Sequence, residues 1–223
     1  MNKTSYTNLA KGWEFAEDHA FSRQPKGLVD ARTRAEESGL PQGSSAQSAL
    51  LALLVRMTRS SSVIMVGTGS IVETLELIRG LDNGGQLTAV DSSAQGIVLI
   101  RSLFTDLADR TQTRLRAVNA QAGVFLPRLN GDDYDLIVVA GDAANYAATF
   151  AQAPRLLRSH GLIVFTDVFA LAGEHENGGL LNPADRGEKA VMMRGFIDDV
   201  ESDEAFDTAM TPTGTGLLIA MKR

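Results

Sequence analysis

The sequence Val63-Ile64-Met65-Val66-Gly67-Thr68-Gly69-Ser70 joins an unbroken apolar run to a glycine-rich turn. An apolar run without polar alternation is typical of a strand that is covered on both faces of a parallel sheet. Glycines directly after such a strand allow a ligand to approach the backbone at the start of the next helix. Residues 72–78 then repeat apolar side chains at helical spacing. The stretch therefore predicts a strand, a ligand-binding turn and a helix.

An acidic residue ends the next predicted strand, where residues 86–90 are followed by Asp91. A carboxylate about 20 residues after a glycine turn can accept hydrogen bonds from both hydroxyls of a ribose. A dinucleotide fingerprint needs a third glycine, and Val72 stands at that position here. The shorter turn favours a nucleoside ligand without phosphates, such as S-adenosylmethionine. A nicotinamide-dependent oxidoreductase remains the alternative from another class of enzyme.

Short apolar runs alternate with longer helical patterns along the rest of the chain, which is typical of an α/β fold with a mostly parallel sheet. We predict a Rossmann-like, doubly wound, seven-stranded sheet whose terminal strand is antiparallel. We expect one domain over residues 1–223, with an N-terminal helical cap over 1–60 and the Rossmann-like core over 61–223. Later elements include a helix over 146–157, a fifth strand over 162–165 opened by Gly161, and a helix over 184–200 capped by Asn182.

Composition and charge exclude several classes of protein. The 223 residues are 44% hydrophobic and 22% charged, as in ordinary globular domains. The chain has no cysteine, which excludes disulfides, thiolate ligands and a cysteine nucleophile. The net charge of −6 and the pI of about 5.1 disfavour a nucleic-acid partner. No run approaches the ~20 apolar residues of a membrane span, and residues 1–18 do not resemble a signal peptide. We therefore expect a cytoplasmic protein without a membrane partner.

Several further segments stand in an order and spacing that resemble one family. The chain from about residue 30 onward is similar to class I S-adenosylmethionine-dependent methyltransferases, specifically the bacterial O-methyltransferases related to catechol and caffeoyl-CoA O-methyltransferases. The segments that carry the resemblance are Ser38-Gly39-Leu40-Pro41 with Ser44, then 66–70, 89–91, 125–129, 134–139, 155–158 before Gly161, and 207–223. The resemblance implies the class I methyltransferase fold, methyl transfer to an oxygen of a small molecule, and a homodimer.

The resemblance also implies positions that hold S-adenosylmethionine. Gly67, Thr68 and Gly69 with Ser70 would line its methionine end, and Asp91 with Ser92 would hold the ribose. The remaining implied contacts are Gln121 and Ala122 for the adenine, Gly43 and Ser44 in the segment that closes over the methionine moiety, and Asp142 after the fourth strand.

The sequence departs from the family on the side where the chemistry takes place. The family carries Glu at the position of Met65, and its metal ligands and lysine fall at Ala140, Ala143 and Thr166 here. Only Asp167 keeps a carboxylate, which is too few hard oxygen ligands for Mg²⁺. We therefore expect no metal, with Asp142 and Asp167 as the candidate catalytic bases. The alternative is a catalytically degenerate S-adenosylmethionine-binding or regulatory protein.

The three histidines show no metal-ligand spacing. We expect His19 on a solvated helix face, His160 in a solvated turn before the fifth strand, and His175 in a surface loop. The substrate walls are expected in residues 143–147, residues 169–182 and the N-terminal helix.

Overall fold

The computed structural model describes residues 3–67, 69–172 and 177–223. In these residues seven strands form one sheet in the order β3-β2-β1-β4-β5-β7-β6. The strands are β1 (Ser62–Val66), β2 (Gln86–Asp91), β3 (Arg114–Asn119), β4 (Tyr134–Val139), β5 (Leu157–Thr166), β6 (Phe206–Thr211) and β7 (Leu217–Lys222). The first five are parallel, and β7 runs antiparallel to both β5 and β6. The predicted fold class is confirmed.

Helices cover both faces of the sheet. They are α1 (Lys3–Ser22), α2 (Lys26–Glu37), α3 (Ser45–Met57), α4 (Ile71–Gly80), α5 (Ala94–Leu107), α6 (Ala122–Phe125), α7 (Ala144–Phe150), α8 (Ala153–Leu156) and α9 (Glu188–Glu201). Side chains of β1 alternate between two apolar layers, since Ile64 and Val66 pack with α6 to α9 while Val63 and Met65 pack with α2 to α5. This double coverage explains why the β1 sequence lacks polar alternation.

The strand order reverses between β1 and β4. These two strands are neighbours in the sheet, although β2 and β3 lie between them in the sequence. The backbone N–H of Ala140 donates to the carbonyl of Val66 at 2.7 Å, so the residues after β1 and β4 lie side by side. In open parallel sheets the crevice at such a switch point is where ligands bind. The fold therefore directs attention to the carboxyl ends of β1, β2, β4 and β5.

The start of β5 differs from the sequence prediction. The strand begins at Leu157 rather than at residue 162, and its register against β4 shifts between Tyr134 and Leu136. His160 lies in this irregular part with a φ of 64°, inside the strand rather than in a preceding turn, although its side chain is exposed as expected. The extra residues are accommodated because a bulge can interrupt a ladder without ending the strand.

The predicted helix over 146–157 is two helices. It breaks after Phe150, and Pro154 lies in the first turn of α8, where a missing N–H costs no helical hydrogen bond. The prediction for α9 is also wrong, since the helix begins at Glu188 and Gly187 is its N-cap residue. The buried Asp185 carboxylate explains the later start, because it accepts the N–H groups of Asn177, Gly179 and Gly187 and holds the preceding residues in a loop.

The N-terminal residues form α1, α2 and α3, of which α1 packs on α3 and α2 packs on α4. His19 is exposed on α1 and stacks on Phe15, as expected for a solvated face. His175 lies outside the described residues. None of the helices in the described parts of the chain combines the length and hydrophobicity needed to span a bilayer.

Candidate active site

The glycine turn lies at the carboxyl end of β1, against the segment between α2 and α3. Gly69 has a φ of 67°, and a Cβ atom there would lie 2.6 Å from Cδ1 of Leu40. Left-handed backbone and this close approach both require glycine. Its N–H donates to Oδ2 of Asp91 at 2.5 Å, which joins the turn to the end of β2. Thr68 lies outside the described residues.

Asp91 is 2% exposed and binds the backbone that follows β1 and the backbone that follows β2. Its Oδ1 accepts the N–H of Ser93 at 2.7 Å while Oδ2 accepts that of Gly69. Burial raises the pKa of Asp91 to about 6, and the nearby charge of Asp142 acts in the same direction. Gly69 and Asp91, both predicted to bind the cofactor, therefore lie in direct contact. Ser92 beside them is exposed.

Gln121 and Ala122 follow β3, the strand next to β2. Gln121 is exposed at the N-cap of α6, and Ala122 is 3% exposed in its first turn. The N–H of Ala120 donates to the carbonyl of Asp91, which ties the end of β3 to the end of β2. Both residues thus stand on the same edge of the sheet as Asp91.

A cavity of about 590 Å³ opens beside the glycine turn, between the α2–α3 segment and the ends of β4 and β5. Of the predicted site residues, Gly43, Ser70, Asp142 and Asp167 line it. Its other lining residues include Glu73, Ala140, Ala143, Thr166, Glu188 and Lys189. A second cavity of about 550 Å³ lies between α2, α4 and α5, and none of the predicted site residues lines it.

The segment before α3 is fastened to the glycine turn by Gln42. Its Oε1 accepts the N–H groups of Ile71 and Val72 at 3.0 Å each, and its Nε2 donates to the carbonyl of Gly69. Gln42 therefore caps α4 from another element. Ser44 was predicted to bind the cofactor, but its hydroxyl donates to Glu17 of α1 and accepts the N–H of Gln47.

Glu73 is a functional candidate that the sequence motifs did not reveal. It lies in the first turn of α4, lines the cavity and is 3% exposed. Its Oε2 has no hydrogen-bond partner among the described residues. Burial raises the pKa of Glu73, opposed by the charge of Arg32. Gly43 leaves room for this side chain, because a Cβ there would collide with Oε1 of Glu73.

The corner between β4 and β5 does not provide a set of metal ligands. Ala140 offers only a methyl group, and the hydroxyl of Thr166 donates to the carbonyl of Val139 at 3.2 Å. Asp167 is 5% exposed, and the ammonium of Lys189 lies 2.6 Å from its Oδ2. No group of three or more His, Asp or Glu residues able to hold a metal occurs in the described ranges. These residues do not fit a divalent cation, which needs several hard oxygen ligands.

Lys189 is the second candidate that sequence analysis missed. It comes from the first turn of α9, and its Nζ donates to Asp167 and, at 3.0 Å, to the carbonyl of Gly141. The ammonium also lies 4.9 Å from the ring centroid of Tyr146. Burial alone would lower the pKa of Lys189, but the interactions with Tyr146 and Asp167 outweigh it and raise the pKa. No motif around residue 189 signals this position, because the contact spans 22 residues and depends on the loop before α9.

Comparison with known proteins identifies the family. A family model described as O-methyltransferase matches residues 25–223. A protein of Mycobacterium tuberculosis named a probable O-methyltransferase is 32% identical over 195 residues, which are 87% of this chain and 84% of the relative. The chain belongs to the O-methyltransferase family. The family and the enzyme class predicted from the sequence are confirmed.

Solved structures of other proteins share the fold. The O-methyltransferase of Bacillus cereus, solved with S-adenosylhomocysteine, matches with a TM-score of 0.78 at 17% identity and covers 96% of this chain and 99% of its own. The O-methyltransferase TomG of Streptomyces achromogenes, solved with S-adenosylmethionine, matches with a TM-score of 0.73 at 19% identity, over 90% and 91% of the two chains. At these identities the likeness establishes the fold.

Proposed function

We propose that this O-methyltransferase transfers the methyl group of S-adenosylmethionine to an oxygen of a small molecule, without a divalent metal. The observation that carries the proposal is the buried Asp91 at the end of β2, one strand from the switch point of the sheet and joined to the glycine turn through Gly69. The fold relatives solved with S-adenosylhomocysteine and S-adenosylmethionine support the choice of cofactor.

The cofactor would extend from the end of β2 into the cavity. Asp91 accepts the ribose hydroxyls with Ser92 beside it, and Gln121 with Ala122 bounds the adenine. The methionine end lies along Gly67 to Ser70 and Gly43, and Thr68 keeps its predicted role there. Glu73 receives the α-ammonium group of the methionine moiety, because its buried, unpartnered Oε2 lines the cavity and a buried charge needs a partner. Ser44 acts through the fold of its segment rather than through its hydroxyl.

Methyl transfer needs little further chemistry from the protein. The sulfonium of the cofactor is already an activated donor, so the chain contributes mainly alignment of the acceptor oxygen with the methyl carbon. Asp142 is the better placed of the two predicted bases, since its side chain is exposed and lines the cavity. Asp167 differs because its charge is already paired with the ammonium of Lys189, and its other oxygen accepts the N–H groups of Leu171 and Ala172.

Calorimetric titration with S-adenosylhomocysteine tests the cofactor assignment. Wild type is expected to bind with micromolar affinity, equally in EDTA and in Mg²⁺, and Asp91→Ala is expected to lose most of this affinity. Absence of binding in wild type would contradict the proposal. Detection of a methylated acceptor with S-adenosylmethionine separates an active enzyme from a degenerate binding protein, the alternative favoured by Ala140, Ala143 and Thr166.

Three broader expectations belong to the same proposal. The protein would act in the cytoplasm, form a homodimer and fold as one domain in which residues 1–60 cap the core. Exposed aromatic side chains on α1, Trp13 and Phe15 among them, are compatible with a dimer face. Light scattering at two protein concentrations measures the oligomeric state, and cell fractionation measures the location.

A further inference from the structure

The ammonium group of Lys189 lies at the corner between β4 and β5, where the chain lacks the metal ligands implied by the family resemblance. Lys189 reaches the corner between β4 and β5 from α9, and 18% of its side chain remains exposed toward the cavity that it lines. Its Nζ is 2.6 Å from Oδ2 of Asp167 and 3.0 Å from the carbonyl oxygen of Gly141. A long, flexible lysine side chain is thereby held in one position by a carboxylate and a backbone carbonyl.

The carboxylate of Asp167, which holds Lys189, is itself held by two backbone N–H groups. Oδ1 of Asp167 accepts the N–H groups of Leu171 at 2.9 Å and Ala172 at 3.1 Å, while Oδ2 accepts from Lys189. Hydrogen bonds of this kind to an ionised group are about twice as strong as neutral ones. Asp167 is thus a positioning residue whose oxygens are already in use.

The surroundings of the ammonium leave room for an acceptor. Ala140, Ala143 and Ala144 line the same cavity with methyl groups, and Thr166 directs its hydroxyl to Val139. Lys189 lines the same cavity as these small residues. A substrate oxygen that enters between them would therefore contact the ammonium group of Lys189. Lysine ammonium is a compact charge, which suits a single oxygen anion, and Asp167 and Gly141 use two of its three N–H donors.

We propose that Lys189 binds the acceptor oxygen of the substrate and favours its ionised form, so that a protein ammonium performs the charge role of a divalent cation. This inference rests on the proposed function. The acceptor hydroxyl gives its proton to Asp142 or to water, and the oxygen then forms a bond to the methyl carbon. The carbon–sulfur bond breaks, its electron pair returns to sulfur, and neutral S-adenosylhomocysteine leaves. Lys189 remains protonated throughout. The substrate class is accordingly a phenol or another acidic hydroxyl compound.

A purely structural ion pair is the competing explanation, since the same contacts also attach α9 to β5. The two explanations differ in whether the charge of Lys189 acts on a ligand. An opposite charge within about 4–6 Å lowers the pKa of an acidic group by roughly 1–3 units. A structural ion pair would leave the pKa of a bound phenol unchanged when its charge is removed.

The test uses 4-nitrocatechol, whose ionised form absorbs visible light. The probe is titrated with pH in the complex of full-length protein with S-adenosylhomocysteine, in EDTA and in Mg²⁺. The variants are Lys189→Met, Lys189→Arg and the double variant Asp167→Asn with Lys189→Met, which leaves no unpaired buried charge if the single variant misfolds. Lys222→Met is the matched control, because Lys222 also pairs with an aspartate, Asp132 at 3.0 Å, and does not line this cavity.

In wild type and Lys222→Met, the pKa of the bound probe is expected to fall by about one unit or more, independently of Mg²⁺. Lys189→Arg should retain a shift in the same direction, and both variants that carry Lys189→Met should lose it. An equal shift without the lysine, a shift that requires Mg²⁺, or no binding of the probe to wild type would overturn the inference. Calorimetry with S-adenosylhomocysteine on each variant separates this result from failure of the cofactor assignment, in which wild type would not bind S-adenosylhomocysteine.

Discussion

The two ends of the site are built from the chain in different ways. The proposed cofactor end combines Gly67 and Gly69 with Asp91, and the N–H of Gly69 donates to Asp91 across two consecutive βα units. The proposed acceptor end combines Asp167, which follows β5, with Lys189 of α9, and small side chains stand where the family resemblance implies metal ligands. The comparison teaches that local motifs can follow the family pattern at one end of a site while a long-range contact from a distant helix occupies the other end.

The largest expected effect comes from Asp91→Ala at the cofactor end. On the proposed function, the variant removes two charge-assisted hydrogen bonds to the ribose, and it also releases the N–H of Gly69. At about 1.5–3 kcal/mol for a hydrogen bond to a charged group, affinity for S-adenosylhomocysteine should fall at least about 100-fold by calorimetry. Asp207→Asn, which alters an exposed aspartate paired with Arg223, should bind as wild type does. Unchanged affinity in Asp91→Ala would remove the motif from the cofactor site.

Glu73→Gln should weaken the affinity for S-adenosylhomocysteine about tenfold, because the charge proposed to receive its α-ammonium is lost. Methylthioadenosine lacks the amino-acid group, so its affinity should not change in this variant. Glu73→Gln should not destabilise the folded protein. Burial raises the pKa of Glu73, which means that the folded state disfavours the charged form. The free energy of unfolding at pH 7, measured with urea, is therefore expected to stay equal or rise. Equal losses for both ligands would place Glu73 away from the methionine moiety.

The pH dependence of cofactor affinity separates the contribution of Asp91 from that of Glu73. Burial raises the pKa of Asp91 to about 6, and the proposed contact with the ribose uses the ionised form of this carboxyl. Affinity should therefore be constant above pH 7 and roughly tenfold weaker at pH 5, because a proton must first be removed there. The decline near pH 6 should persist in Glu73→Gln and disappear in Asp91→Asn. A profile that is flat between pH 5 and pH 7 in wild type would contradict this assignment.

The smallest expected effect is that of Gln42→Ala. This variant tests whether Gln42 stabilises the glycine turn and the start of α4. The variant leaves the N–H groups of Ile71 and Val72 without their side-chain acceptor. Loss of a helix cap costs about 1 kcal/mol, equivalent to roughly 2–4 °C in melting temperature for a chain of this size. Thermal unfolding measures this change. Gln95→Ala, at an exposed contact to the carbonyl of Ser38, is the control and should melt within a degree of wild type.

The sequence predicted the parts that depend on neighbouring residues. The apolar run before Gly67 and the aspartate that ends β2 follow from local pattern, and the structure brings Gly69 and Asp91 into contact. The antiparallel terminal strand also follows from the order of elements. These features are readable because strand, turn and helix preferences act over a few residues.

The remaining features depend on contacts across the fold. Gln42 caps a helix that begins 29 residues later, and Lys189 contacts Asp167, which lies 22 residues earlier in the chain. The predicted start of α9 was wrong because Asn182 and Pro183 are residue types typical of a helix N-terminus. In the structure the buried carboxylate of Asp185 instead stabilises a loop at this point. Local preference carries no information about such long-range partners.

The most direct measurement is methyl transfer from isotopically labelled S-adenosylmethionine to a panel of phenols, in EDTA and in Mg²⁺. A metal-free site with a fixed ammonium predicts labelled product at the same rate under both conditions, and loss of that rate in Lys189→Met while S-adenosylhomocysteine still binds. Product that forms only in the presence of Mg²⁺ would contradict the account.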